Sequence, residues 1–259
     1  MSSPWQSRAT GTELLDGGGY SQDEARGTLA DLRRYNRWFG GTAAALGALG
    51  RLWEDSGRPS RLTVLDVATG TGDIPAAIAR WAGARGIHVT ATGLDQNGDV
   101  LKEARASLAG TPVSLVGGDA QALPLVSQSI DVVLCCTFLH HLDGLSEGDP
   151  LVRALAEMRR VARLGVIVID LQRTPLAGRL VGLATTLTST NRLTRHDGAL
   201  SVRRALTPAE LLKAAERAGL SGAVVRRVGP VRMALRWRCA GRGREEADST
   251  EAVPSTSGL

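Results

Sequence analysis

The chain has 259 residues, 43% apolar and 22% charged, a globular composition that supports a sizeable core and excludes disordered and collagen-like classes. Its net charge of +5 is carried almost wholly by scattered arginines, and aromatics make up only 3%, so no basic stripe interleaved with rings points to nucleic acid. The opening MSSPWQSR lacks the apolar core of a secretory signal, and no uncharged apolar run approaches the roughly 18 residues of a membrane span. The three cysteines, without a C-x-x-C pattern, suggest neither a disulfide framework nor a metal site, so a soluble protein of a reducing cytoplasm is expected.

Residues 1–22 are polar and glycine-rich and read as loose. From about Gln22 to Trp53 two helices fit, broken at Gly40-Gly41, with Thr42 as N-cap of the second. Beyond Arg61, short apolar, β-branched runs at 62–65, 88–94, 113–116, 130–137 and 166–171 read as strands buried on both faces. Helical stretches separate them. Asp73 caps one, with Ile74, Ala77, Ile78 and Trp81 on one face; Asn97 caps the next; Asp149-Pro150 opens a third with Leu151, Leu155 and Met158 inward. This alternation predicts βαβ units and a parallel sheet. Residues 175–206 then form a partly helical segment, and Thr207 with Glu210 makes a capping box. Two closing strands meet at Gly229-Pro230 as an antiparallel hairpin, and residues 240–259 read as a disordered tail.

The stretch VLDVATGTGDIPAAIAR at 64–80 sets a glycine-rich turn between a strand and a helix. A dinucleotide fingerprint needs a third glycine, but Pro75 stands there; a P-loop needs a lysine, and none follows. Asp66 before the turn is misplaced for pyrophosphate and suits a cationic ligand, which Gly70 and Gly72 let the backbone approach. Asp95 ends the next strand, where a carboxylate can accept both hydroxyls of a ribose. Asp119 follows the third, within reach of an exocyclic amine. Each acid alone could serve as a helix cap or turn residue. Three at successive strand ends describe a site for adenosine bearing a positive, non-phosphate group, S-adenosylmethionine (SAM).

The segments VLDVATGTGDIP, TGLDQNGDVLKEAR, GGDAQALPLVSQSIDVVLCCTFLHHL and EMRRVARLGVIVIDL, in that order over residues 60–172, resemble the motifs of class I SAM-dependent methyltransferases. LDVATGTGD is most similar to the methyltransferases of ubiquinone and menaquinone biosynthesis, with Ala68 in place of the commoner first glycine. DLRRYNRWFGG at 31–41 and TRHDGALSVRRALTPAEL at 194–211 resemble bacterial methyltransferases associated with type III polyketide synthases. The resemblance implies a Rossmann-like, doubly wound, seven-stranded, mostly parallel α/β sheet with a C-terminal antiparallel hairpin. It implies a flexible start (1–22), a helical cap (23–58), a methyltransferase domain (59–239) with a lid insertion at about 174–206, and the tail. It adds Ala68, Thr69, Thr71, Gln96, Ala120 and Cys136 to the cofactor-contacting positions, Cys136 standing where a small hydroxylated residue is usual.

Methyl transfer is an in-line displacement that mainly needs alignment; a phenol or enol acceptor must also lose a proton, a task for a histidine. His140 and His141 follow the fourth strand at the ligand-binding edge, either as base or as the start of a packed loop. His196, beside Asp197 in the lid, is a second candidate base, against a turn role for Asp197-Gly198; neighbours rarely pair through their own side chains. His88 lies at the opposite edge. Arg195, with Arg192, Arg203 and Arg204, could hold an acidic substrate group, and Tyr35, Asn36 and Trp38 fall where the N-terminal helix would cover the cofactor. An apolar roof from 176–190 and the N-terminal helices favours a small hydrophobic acceptor. O-methylation of a phenolic or enolic polyketide, quinol or lipid is the preferred expectation. C-methylation of a quinone precursor is its nearest rival. A nicotinamide oxidoreductase, or a non-catalytic SAM-binding protein, would belong to a different class.

Overall fold

Five short apolar runs have no other way to satisfy their backbone than to pair with one another, and they do so as parallel strands. The computed structural model describes residues 5–239; the expected tail at 240–259 lies outside the described residues. Strands β1 (Arg61–Val67), β2 (His88–Asp95), β3 (Val113–Gly117), β4 (Ile130–Cys136) and β5 (Ala162–Leu171) are parallel, and β6 (Val224–Val228) and β7 (Arg232–Arg238) add an antiparallel pair. The order is β3-β2-β1-β4-β5-β7-β6, so the seven-stranded, doubly wound sheet expected from the motifs is present.

Helices α4 (Asp73–Gly83), α5 (Gly98–Ser107), α6 (Pro150–Val161) and α9 (Pro208–Arg217) connect the strands, and α3 (Gly41–Asp55) packs on β5 and β7. Their inward stripes follow the predicted period: Ile74, Ala77 and Ile78 on α4, and Leu151, Leu155 and Met158 on α6, are buried. Trp81, half-buried, meets Trp53 edge-on at 5.9 Å between ring centroids. Asn97 caps α5, and Thr207 with Glu210 forms the expected capping box.

Two expected caps differ. Gly40, left-handed at φ 71°, precedes α3, so Thr42 lies inside the helix. Gly72 precedes α4, and Asp73, in its first turn, accepts from Thr71 Oγ1 instead. Asp149-Pro150 opens α6 as expected; the Asp149 carbonyl accepts the Arg153 amide, while its Oδ2 takes the Ser146 amide at 2.7 Å rather than capping the helix.

Above the carboxyl ends of the strands lie α2 (Gln22–Trp38), α7 (Pro175–Thr188) and α8 (Arg192–Arg204), the last two within the expected insertion. Described residues of the stretch expected to be loose, from Arg8 to Leu15, pack here. Arg8 donates to the carbonyls of Arg204, His140 and Leu142. Asp197 accepts the amides of Leu14 and Leu15 and so caps the short helix α1 (Leu14–Gly17) from α8. The polar composition that suggested disorder is what makes these bonds. Among the described residues no helix is long and apolar enough to cross a membrane.

Candidate active site

The strand order reverses between β1 and β4, and in open α/β sheets ligands bind in the crevice at that point. Two non-glycine residues hold left-handed backbone at its lip: Ala68 (φ 55°) just after β1 and Thr137 (φ 59°) just after β4. Such a conformation costs an L-residue roughly 1–2 kcal/mol, which explains why glycine is commoner at the first of these positions. Gly70 (φ 56°) faces open space, whereas a Cβ on Gly72 (φ 73°) would run into the Leu108 side chain. The turn therefore opens toward the crevice at Gly70 and packs against the core at Gly72.

Beneath the turn Asp66 is fully buried, accepting from Thr69 Oγ1 at 2.7 Å with Oδ2 while Oδ1 has no partner. Burial pushes its carboxyl well above the usual range, and the nearby acids Asp73 and Asp95 add to the rise against the Thr69 bond. Burial also raises Asp95, although the amides of Asn97 and Gly70 donate to its two oxygens, each at 3.0 Å. Asp95 thus holds the glycine turn against the end of β2. Asp73, raised mainly by burial, leaves Oδ2 unpartnered at the crevice wall. Crowded, under-satisfied acids behind an open glycine turn fit a cationic adenosine ligand.

The crevice encloses about 1000 Å³ including its open mouth. Ala68, Thr69, Gly70, Thr71, Cys136, Tyr35, Asn36, His140 and His141 line it. Burial pushes the Cys136 thiol up to about 12, so it meets the crevice as a neutral thiol. Leu15, Leu29, Leu32, Phe39, Leu171 and Val181 form an apolar wall.

His140, 1% exposed, sets Nδ1 2.7 Å from Asp170 Oδ1, and its amide donates to Asp170 Oδ2 at 3.1 Å. Burial alone would raise the Asp170 carboxyl, but the charge and hydrogen bond of His140 and the Leu171 amide hold it below the ordinary value. Nδ1 therefore carries a proton toward the carboxylate. Nε2 faces Glu13 Oε1 at 3.8 Å, and His141 Nε2 lies 3.8 Å from Glu13 Oε2. The expectation of no clustered ligands is thereby corrected: Glu13, His140 and His141 bring ligand atoms within 4.8 Å of one another. The arrangement can handle a proton, and its donor set would also accept a divalent cation.

Residues 65–169 match the family described as "Methyltransferase domain". A demethylmenaquinone methyltransferase of Desulfitobacterium hafniense (strain Y51) is 32% identical over 114 residues, 42% of each chain. The ubiquinone/menaquinone biosynthesis C-methyltransferase UbiE of Ralstonia pickettii (strain 12J) is 39% identical over 136 residues, 49% of this chain and 51% of that one. The chain thus spans about half the length of the curated relatives it matches. A SAM-dependent methyltransferase of Aquifex aeolicus shares the fold at a TM-score of 0.54 and 16% identity, covering 85% of this chain and 98% of that one. The matched segment, 65–169, carries the glycine turn and both crevice histidines, and the chain as a whole has the fold of that SAM-dependent methyltransferase.

Other expected positions, Asp95 among them, stand off the crevice wall. Asp66 and Gly72 lie under the turn; Ala120 is buried in the core; Gln96 and Asp119 are exposed beside β2 and β3, Asp119 accepting from the Gln121 amide at 2.8 Å. Trp38, 53% exposed, turns outward beneath the Arg34 guanidinium. Arg195 is exposed and donates to the Thr186 carbonyl. His196 is also exposed, and it does pair with its neighbour, Nδ1 to Asp197 Oδ1 at 2.8 Å. Both point away because the face of α8 that looks inward carries Thr194, Asp197 and Ser201. Of the other lid arginines, Arg192 pairs with Glu24 and Arg204 holds the His140 and His141 carbonyls.

Three residues in or beside the crevice escaped the sequence reading. Glu13 sits in the stretch read as loose, and Arg232 in a strand of an arginine-rich chain, so neither carried a signal. Asp170, an acid ending the apolar run VIVID, did.

Proposed function

We propose that the protein methylates the oxygen of a small hydrophobic phenol or enol, with His140 as general base. The observation that carries this is the buried Asp170–His140 pair, whose histidine lines an apolar crevice beside the glycine turn with Nε2 3.8 Å from Glu13 Oε1. SAM supplies a methyl group activated by its positively charged sulfur. Asp95 would take the ribose, Asp66 and Asp73 would supply negative potential, and the Gly70 and Thr71 backbone would line the cofactor's path. Cys136 would form its apolar side. Asp170 holds the proton on Nδ1, leaving the Nε2 lone pair to accept the acceptor's proton, and Glu13 stabilises the imidazolium so formed. The apolar wall excludes water and selects a hydrophobic ring. The His141 ring lies 4.3 Å from that of His140 and shares the task of positioning.

A second reading, C-methylation of a quinone precursor, is favoured by the relatives, which include C-methyltransferases of ubiquinone and menaquinone biosynthesis. The same base would remove a phenolic proton while a ring carbon took the methyl from sulfur; that carbon would then release its own hydrogen as a proton and the oxygen regain one, restoring the aromatic ring. SAM labelled with carbon-13 at the methyl, incubated with a panel of phenols, quinols and enolic polyketides, separates the two by the chemical shift of the product methyl. An O-methyl product is expected; a C-methyl product would move the assignment to the second reading. Intact binding of S-adenosylhomocysteine with no turnover on any acceptor would overturn both. Binding of NADH would point to an oxidoreductase instead.

A further inference from the structure

A buried charge without an opposite charge is costly, several kcal/mol even after relaxation, so an arginine placed that way in a crevice asks what completes it. Arg232 opens β7 and is 2% exposed. Its Nη1 donates to Thr137 Oγ1 at 2.6 Å and its Nη2 to Asn36 Oδ1 at 2.8 Å, both neutral acceptors. Its Nε is buried with no partner. No carboxylate lies within ion-pair distance of it among the described residues. The guanidinium lines the crevice together with Asn36, Thr137 and Asp73. It is admitted by Gly41, where a Cβ would come within 2.9 Å of the Arg232 Cζ. The other buried arginines differ: Arg173 pairs with Glu210 at 2.7 Å, and Arg204 is taken up by backbone carbonyls.

The geometry points to Arg232, held by Asn36 and Thr137, as a receptor for a carboxylate bound in the crevice. This rests on the cofactor-site reading above. Guanidinium and carboxylate match in charge and in planar, two-pronged geometry, and a neutral ring would leave the charge uncompensated. Asp73, with its own unpartnered oxygen on the same wall, would face an ammonium beside that carboxylate. An α-amino acid end such as that of the cofactor therefore fits the pair. An acidic acceptor would use Arg232 alone.

The test compares ligands that differ by one carboxylate, by titration calorimetry on the full chain. In the cofactor arm, S-adenosylhomocysteine is set against S-adenosyl-3-thiopropylamine, which keeps the ammonium. In the acceptor arm, 2,4-dihydroxybenzoate is set against resorcinol on the protein saturated with S-adenosylhomocysteine. Wild type should favour the carboxylated ligand at least about tenfold in one arm, the lower end of what a charged hydrogen bond contributes. Arg232→Gln should remove that preference, and Arg232→Lys should keep part of it. The arm that responds identifies the source. No preference in either arm for wild type overturns the inference whether or not the variants fold, and so does a preference that survives in a folded Arg232→Gln. Failure of the wild type to bind S-adenosylhomocysteine at all would instead overturn the cofactor-site reading.

Discussion

Replacing Asp170 by asparagine keeps its size and removes its charge, and the local hydrogen bonds set the consequence. Oδ1 receives His140 Nδ1 and the Leu171 amide, both at 2.7 Å, and Oδ2 receives the His140 amide at 3.1 Å. If the new amide nitrogen takes the Oδ1 place, it faces Nδ1 as a donor and forces the imidazole into the other tautomer. Nε2 then carries hydrogen and cannot accept a proton. If it takes the Oδ2 place, the tautomer survives, but the imidazolium loses its charged partner and the His140 amide meets a donor. Either orientation strands a buried backbone donor, costing about 1–3 kcal/mol of stability. The first removes general-base catalysis, about 10²–10⁴-fold; the second removes a charge-assisted bond, about tenfold or more. The expected result is therefore a fall in kcat of at least about tenfold at pH 7, and about 10²-fold or more if the amide nitrogen faces Nδ1, with S-adenosylhomocysteine affinity retained. The deficit should shrink as pH nears the acceptor's own pKa, about 10 for a phenol, because a phenolate formed in solution needs no base. Steady-state kinetics across pH, calorimetry, and a circular-dichroism melt to confirm folding would decide it. Undiminished kcat in a folded variant, matched by undiminished kcat in His140→Asn, refutes the base and leaves alignment to carry the chemistry.

Asp95→Ala should lower cofactor affinity at least about tenfold, since it removes an ionised acceptor for the ribose and releases the Gly70 amide that Asp95 holds; unchanged calorimetric affinity would exclude that role. Burial raises the carboxyl of Asp66, so the folded state binds that proton more tightly than the unfolded chain. Its stabilising contribution is present below about pH 4 and is lost as pH rises through the folded value. Ligand-free protein should therefore lose some melting temperature as pH rises above about 4, and Asp66→Asn should flatten that slope; an identical slope in the variant would remove Asp66 as its source. Dialysis against EDTA should leave turnover unchanged if Glu13, His140 and His141 handle only protons. A loss restored by zinc or manganese would make the cluster a metal site.

The β-branched runs at 62–65, 88–94 and 166–171, and the helices between them, were legible because the period of apolar residues is a property of adjacent positions. The turn at Ala68 to Gly72 and the acids Asp66, Asp95 and Asp119 were legible for a related reason. In a parallel sheet every strand end arrives at the same edge, so position in the chain is enough to place them. Position does not tell which side of an element a residue faces, or what comes to meet it. Asp119 and Gln96 are at the expected edge yet exposed, and His196 is in the lid yet on its outer face. The three groups that give the crevice its chemistry come from distant parts of the chain. Ser201 donates to Glu13 across 188 positions and Arg232 to Asn36 across 196, while Asp170 meets His140 across 30. No local pattern encodes such meetings. Only packing of the lid and the N-terminal segment over the sheet brings these charges together, in an interior where burial shifts the acids and leaves an arginine without a counter-ion.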